Sequence, residues 1–359
     1  MPYGLPIPAS LQQSLDETKV EYVQVGSSGL RVSRPILGCL AFGKPQPFAP
    51  WILDEETSLE ILKVAYDRGV NTWDTANTYS NGLSEEIIGK AIKKFNIPRQ
   101  KVVIMTKIGF HVGEEIDVLG AAFPDEMGQC KDYVNQGGLT RSGIINAVDA
   151  SLKRLGTDYI DLLQLQRLDE KPVAEEMMKA FHDLVESGKV RYIGASSMWL
   201  SQFAQLQFLA EKKGWTKFVS MQNYYNLCYR EEEREMIRFC KETGVGILPW
   251  SPLFAGRLAR PLGFDKSIRS KRPSPHHPNV TAADEEIINR VEEIAKKKGW
   301  TMSHVALAWL SSKGTSPIVG CNSVDKLEDV CHLRGKVLAE EDIKYLEEPY
   351  VPKTIAGHF

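Results

Sequence analysis

The feature that most constrains this chain is a rhythm that starts near residue 36 and runs almost to the end. A short apolar or β-branched run is followed by a segment of helical hydrophobic period, eight times over. The runs fall at 36–40, 70–73, 102–105, 159–163, 191–193, 218–221, 245–248 and 317–319. Helical segments follow each of them. One starts after Asp54 and carries Leu59, Leu62 and Tyr66 on one face, ending at Gly69. Another starts after Thr140 and carries Ile144, Val148, Leu152 and Leu155 up to Gly156. The rest are expected at about 84–95, through Met177, Phe181 and Leu184, at 200–214, 230–244, 284–313 and 325–331. Such alternation gives a parallel sheet, and eight units close it into an α/β fold of the (β/α)8 TIM-barrel type. An open doubly wound sheet needs a glycine-rich turn leaving its first strand. The one G-x-G in a plausible setting, Gly244-Val245-Gly246, leads into a strand instead, so the barrel is the expected fold.

Around this core, residues 21–25 and 30–32 flank Gly26-Ser27-Ser28-Gly29 and predict an N-terminal β-hairpin. Residues 1–19 read as a flexible tail, and 20–359 as a single barrel domain. Two long loops, about 109–139 and 252–282, follow the third and seventh strands and so lie on the C-terminal face, where barrels of this kind place their chemistry. The 44 Lys+Arg against 46 Asp+Glu leave a net charge of -2, so no basic field is expected to grip nucleic acid. No apolar run reaches the roughly 20 residues needed to span a bilayer, and the first residues lack the pattern of a secretory signal. The 6 cysteines are scattered without C-x-x-C spacing, which predicts free thiols and a cytoplasmic protein. No cluster of His, Cys and acids predicts a metal site; His276-His277 is isolated in a proline-rich loop.

Polar residues just past each strand should converge on the barrel mouth. They are Asp74, Lys107, Gln166, Ser196-Ser197, Gln222-Asn223, Trp250-Ser251-Pro252 and Gly320-Cys321-Asn322. Taken singly, each reads equally well as a loop polar group or a member of a buried ion pair. Taken together, an Asp, a Tyr and a Lys on one rim make a particular chemistry possible. An ammonium beside a phenol favours the phenolate, and a carboxylate fixes the ammonium in place. The product is a general acid able to protonate a developing alkoxide.

The stretch Gly69-Val70-Asn71-Thr72-Trp73-Asp74-Thr75-Ala76, with Tyr79 and Gly82-Leu83-Ser84-Glu85, resembles the first signature of the aldo-keto reductases. Lys107, Gly188-Lys189-Val190-Arg191-Tyr192-Ile193-Gly194-Ala195-Ser196-Ser197 and Trp250-Ser251-Pro252-Leu253 match further segments in order and spacing. The similarity extends from about residue 21 to 358. It implies an NADP(H)-dependent, metal-free barrel that reduces a small-molecule carbonyl substrate, an aldehyde or a ketone. Tyr79 would be the proton donor, tuned by Lys107 and Asp74. Ser196, with Ser197 beside it, and Gln222 would hold the nicotinamide carboxamide, Trp250 would stack on the ring, and Cys39 and Leu40 would lie by its ribose. Ser251, Pro252, Leu253, Ala255 and Gly256 would line the pyrophosphate. Gly320, Asn322, Lys326 and Asp329 would reach the adenosine end. For the 2′-phosphate the candidates are Arg260, Lys266, Arg269, Lys271 and Arg272, with Arg269 favoured. Phe42, Phe48, Trp51 and Phe110 would line the substrate pocket and predict a bulky or aromatic carbonyl compound.

One departure matters. Gln166 stands where most members of that family carry histidine. A glutamine amide can still donate to a carbonyl oxygen, but it cannot become cationic near neutral pH as an imidazole can. Carbonyl polarisation is therefore expected to survive while proton sharing at this position is lost. The same substitution gives some weight to an alternative, a cofactor-binding redox sensor or regulatory subunit with little turnover.

Overall fold

A computed structural model of the chain describes residues 5–47, 49–168, 173–264 and 280–358. Helix α1 (Ala9–Glu17) lies within the stretch expected as a loose tail; none of its side chains is buried. Next comes the hairpin, β1 (Glu21–Gln24) paired antiparallel with β2 (Arg31–Arg34), Val23 opposite Val32. The barrel strands are β3 (Ile36–Gly38), β4 (Thr72–Asp74), β5 (Val103–Ile108), β6 (Ile160–Leu165), β7 (Val190–Ser196), β8 (Ser220–Gln222), β9 (Gly246–Ile247) and β10 (Ile318–Val319). All are parallel, in the order β10-β3-β4-β5-β6-β7-β8-β9. A parallel bridge between Trp250 and Ile318, and the bond from Ile318 N–H to Pro249 C=O at 2.9 Å, join the two ends and close the ring.

The helices that follow the strands are α2 (Glu55–Asp67), α3 (Leu83–Lys94), α4 (Pro124–Met127), α5 (Arg141–Leu155), α6 (Ala174–Glu186), α7 (Leu200–Lys213), α8 (Met236–Thr243), α9 (Ala282–Lys298), α10 (Met302–Ser312), α11 (Val324–Cys331) and α12 (Glu340–Glu347). Asp54 and Thr140 accept from the N–H groups of Thr57 and Gly143, capping α2 and α5 as their positions before apolar-periodic runs predict. Two expectations change in detail. The segment 230–244 begins as a 3-10 turn, Glu231–Glu233, before α8 starts. The segment 284–313 is two helices, separated where Gly299 adopts a φ of 63°. The long loop after β5 also contains the short helix α4.

Strand alternation then decides what fills the barrel. Ile36, Met105, Leu162, Leu248 and Ile318 pack together with Val25, Leu30 and Val32, so the hairpin plugs the N-terminal end with apolar side chains. Two residues further along the same strands the inward positions turn polar: Lys107 follows Met105, and Gln164 follows Leu162. The larger core lies between the strands and the surrounding helices. An apolar floor beneath a polar mouth is what gives buried charged groups a rigid seat. No helix among the described residues is long and apolar enough to cross a membrane.

Candidate active site

Asp74 ends β4 and Lys107 lies on the neighbouring strand β5, with side-chain exposures of only 3% and 2%. Lys107 Nζ donates to Asp74 Oδ2 at 2.6 Å, to Thr75 C=O at 2.7 Å and to the Tyr79 hydroxyl at 3.2 Å. Three donor protons thus meet three acceptors, which is what a buried ammonium requires. Burial pushes the Lys107 amine toward its neutral form. The Asp74 carboxylate and the Tyr79 hydroxyl more than offset that, holding its pKa above the ordinary lysine value.

Tyr79 owes its place to an unusual turn. It opens a 3-10 turn, Tyr79–Gly82, in which Ser80 and Asn81 are left-handed (φ 48° each) and Gly82 has φ 92°. Asn81 Nδ2 donates to the carbonyls of Glu115 and Val118 at 2.7 and 3.0 Å, pinning the long loop after β5 to this turn. A Cβ on Gly82 would lie 2.5 Å from Arg154 Cδ. The space goes to Arg154, whose Nε donates to Glu85 Oε2 at 2.7 Å, while Glu85 Oε1 accepts from Thr106 at 2.6 Å. Ser84 Oγ donates to Cys39 C=O at 2.9 Å and bonds Thr75 Oγ1 at 2.8 Å. The run Gly82-Leu83-Ser84-Glu85 is therefore a clamp that locks the start of α3 onto β4 and β5, and with it the tyrosine.

Asp74 is fixed from its other side too. Its Oδ1 accepts from Gln164 Nε2 and Gln222 Nε2, each at 3.0 Å, and Gln222 Nε2 also donates to Gln164 Oε1 at 2.8 Å. Gln164 can cross the barrel because Gly194 faces it. A Cβ there would stand 3.3 Å from Gln164 Cγ and 2.3 Å from Ser220 Oγ. Sequence reasoning passed over Gln164; its signal was a polar residue at an inward position of an otherwise apolar strand.

Gln166, half-buried just past β6, accepts from Thr78 Oγ1 at 3.5 Å through its Oε1, beside the Tyr79 turn. Arg167 was also passed over. Its Nη1 donates to Gln166 C=O at 2.6 Å and to Ser196 Oγ at 3.2 Å, and its guanidinium lies 6.0 Å over the Trp250 ring. Burial lowers its pKa to about 10. Ser196 Oγ donates to Gln222 C=O at 2.9 Å, and Ser197 Oγ accepts from Trp250 Nε1 at 3.0 Å. Trp250 stacks on Tyr224 at 4.5 Å, and Tyr224 on Tyr229 at 4.4 Å, so one indole face is already covered. Cys39 is fully buried, and burial together with Asp74 drives its thiol well above the usual range. Leu40 beside it is half-buried.

Beyond β9 the backbone enters the left-handed region at Ser251, Phe254, Ala255 and Gly256, on either side of Pro252 and Leu253. The turn is held by its own bonds, Phe254 N–H to Ser251 C=O at 3.1 Å and Gly256 N–H to Leu253 C=O at 2.8 Å. Arg260 Nε donates to Gly256 C=O at 3.0 Å, and Lys326 Nζ donates to Asn322 Oδ1 at 2.5 Å. Burial and then the Arg260 charge lower the Lys326 pKa, so these two cations repel each other across β9–β10 loop space. Neither pairs with a carboxylate among the described residues. A phosphate would relieve that repulsion, so the residues present fit a phosphorylated dinucleotide. Gly320 leaves the end of β10 open, the nearest atom to an added Cβ being Gly38 O at 3.8 Å. Asp329 turns its carboxylate to Thr301 Oγ1, at 3.1 Å, at the start of α10. Arg269, Lys266, Lys271 and Arg272 lie outside the described residues.

The aromatic residues expected in the substrate pocket divide. Phe42 is fully buried in the main core and presents no surface to solvent. Trp51 packs partly against the same core, Phe110 is half-buried just past β5, and Phe48 lies outside the described residues. The last described residues also reach Trp250, a contact that sequence reasoning missed. A Cβ on Gly357 would sit 3.2 Å from Trp250 Cζ2, and His358 packs on Trp199 at 5.0 Å.

Comparison with known proteins agrees with this architecture. The model of the aldo/keto reductase family matches residues 36–350. An aldo-keto reductase of Fusarium vanettenii is 53% identical over 362 residues, covering 99% of this chain and 97% of the relative. The aldo-keto reductase dtxS3 of Metarhizium robertsii is 54% identical over 364 residues, covering 99% and 97%. Versiconal hemiacetal acetate reductase of Aspergillus parasiticus is 49% identical over 345 residues, covering 94% and 98%.

Proposed function

The chain belongs to the aldo/keto reductase family and is an oxidoreductase, and from that premise we propose that it reduces aldehydes or ketones to alcohols with NADPH, using Tyr79 as general acid. The observation that carries the proposal is the Tyr79 hydroxyl 3.2 Å from an ammonium that is itself locked 2.6 Å from a buried carboxylate. When bound, the reduced nicotinamide supplies hydride to the carbonyl carbon. The protein does the rest. Tyr79 gives its phenolic proton to the carbonyl oxygen as charge develops there, a contribution of about 10²–10⁴ in rate. Lys107 stabilises the phenolate left behind, and Asp74 with Gln164 and Gln222 prevents the ammonium from moving away. Gln166 offers its amide N–H to the same oxygen without entering the proton balance.

Ser196, Gln222 and Trp250 would hold the nicotinamide. The left-handed turns at Ser251, Ala255 and Gly256 would cradle the pyrophosphate, and Arg260 with Lys326 would take a phosphate. Arg269 stays a candidate for the 2′-phosphate. That two cations face one another here supports NADP(H) over NAD(H), since the extra phosphate is the charge that separates the two. The names of relatives support a carbonyl substrate. A sensor role without turnover is favoured only by Gln166, and a pure binder has no use for a phenol beside an ammonium.

The test is reduction of a panel of aromatic aldehydes and ketones by purified protein with NADPH or NADH, followed as loss of reduced-nicotinamide absorbance. Turnover with NADPH supports the proposal. Tight NADPH binding with no turnover on any carbonyl compound refutes it in favour of the sensor.

A further inference from the structure

Arg167 has no role in the chemistry described so far, yet only part of its guanidinium is bonded among the described residues. Both Nη1 protons are used, on Gln166 C=O at 2.6 Å and Ser196 Oγ at 3.2 Å. Its Nε and Nη2, the edge that grips a carboxylate with two parallel bonds, have no partner among the described residues. Arg167 is only partly buried, one residue past Gln166 at the barrel mouth. Buried guanidinium groups are ordinarily paired with acids. Arg167 has none among the described residues, and burial weakens its charged form while Tyr79 supports it. Its guanidinium lies over the Trp250 ring and bonds the carbonyl of Gln166, whose side chain meets Thr78, the residue before Tyr79.

We propose that Arg167 is the substrate-recognition group of this site, and that the preferred substrates are carbonyl compounds bearing a carboxylate within one or two bonds of the carbonyl. The inference rests on the carbonyl-reducing reading above and narrows its substrate class. The carboxylate pairs with the Nε/Nη2 edge, which aims the neighbouring carbonyl oxygen at the Tyr79 hydroxyl. In the reaction the carbonyl carbon takes hydride from the reduced nicotinamide, which leaves oxidised. The carbonyl oxygen takes the Tyr79 proton, solvent restores that proton, and the carboxylate is unchanged. The neutral amide of Gln166 fits this arrangement. With Arg167 already present, a second cation at 166 is not needed to attract the anion.

The test compares an aromatic 2-oxo acid with its methyl ester, which keeps the carbonyl and removes the charge. Binding is read from tryptophan fluorescence of the NADP⁺ complex, and reduction from NADPH consumption. Wild-type protein is expected to bind the acid roughly 10- to 100-fold more tightly than the ester, the range of a charge-assisted pair. Arg167→Leu should bring the ratio close to one, and Arg167→Lys should leave it in between, with the loss falling on KM more than on kcat. Equal affinity for acid and ester in the wild-type protein overturns the proposal whether or not the variants fold. So does a preference that persists in Arg167→Leu. Discriminating binding of the acid without any reduction supports recognition by Arg167 while refuting the carbonyl-reductase reading, so the two can fail separately.

Discussion

Gln222 Nε2 lies 3.0 Å from Asp74 Oδ1, on the oxygen opposite the one that holds Lys107. The residue expected to grip the nicotinamide carboxamide therefore also braces the acid–base set. Its amide nitrogen is committed to Asp74 and Gln164, which leaves its carbonyl oxygen to accept from the carboxamide. Gln222→Leu removes a donor from a buried carboxylate and should cost about 1–3 kcal/mol in urea unfolding. It should also weaken NADPH binding in a fluorescence titration. Unchanged stability would mean that Gln164 alone satisfies Asp74 Oδ1.

Lys107 and Asp74 form an ion pair with almost no exposure, so removing one partner strands the other. Lys107→Met is expected to destabilise the fold by about 3–5 kcal/mol, and pairing it with Asp74→Asn should recover much of that loss. Chemical denaturation of the two single variants and the double variant measures the coupling.

The same pair sets a pH dependence. The Lys107 pKa is raised in the folded protein, so its stabilisation is complete below the unfolded lysine value of about 10.4 and disappears only as pH climbs through the higher folded value. In Asp74→Asn the main raising charge is gone and burial dominates. The alkaline loss of stability should then move to lower pH, visible in unfolding midpoints measured from pH 7 to 11.

Gln166→His introduces a group titrating near pH 6.5 beside Thr78. A new limb is expected in the pH profile of kcat, with faster turnover on its acid side. An unchanged profile would place residue 166 outside the proton path.

Arg260→Ala and Lys326→Ala should each reduce the preference for NADPH over NADH by about tenfold, the loss appearing in cofactor KM. Arg269→Ala is the control for the residue that the sequence favoured. If it alone changes the preference, the Arg260–Lys326 pair serves another part of the cofactor.

Much of the fold and the site is legible in the sequence. The alternation of apolar runs and helical segments gave the barrel, and the strand-end rule brought Asp74, Lys107, Ser196 and Gln222 to one rim. Those groups were readable because chain position alone dictates where a strand end points. Gln164 was not, because only register and the missing side chain of Gly194 let it reach Asp74 across the barrel. Arg167 was not singled out, because its bonds to Gln166 and Ser196 depend on the geometry of the mouth and not on spacing. Phe42, expected at the pocket, is fully buried in the core, which an aromatic residue just past a strand does not reveal from sequence alone. Helix α1 lies in a polar, proline-marked stretch whose composition suggests a coil, and it forms without burying a side chain.

The central claim is that the Tyr79 proton, held beside Lys107, goes to the substrate oxygen as hydride arrives. It is tested most directly by single-turnover reduction of an aromatic carbonyl compound by protein already saturated with NADPH, comparing wild-type with Tyr79→Phe. The variant is expected to bind NADPH normally and to reduce the carbonyl at least about 100-fold more slowly. Equal rates in the two proteins would contradict the account.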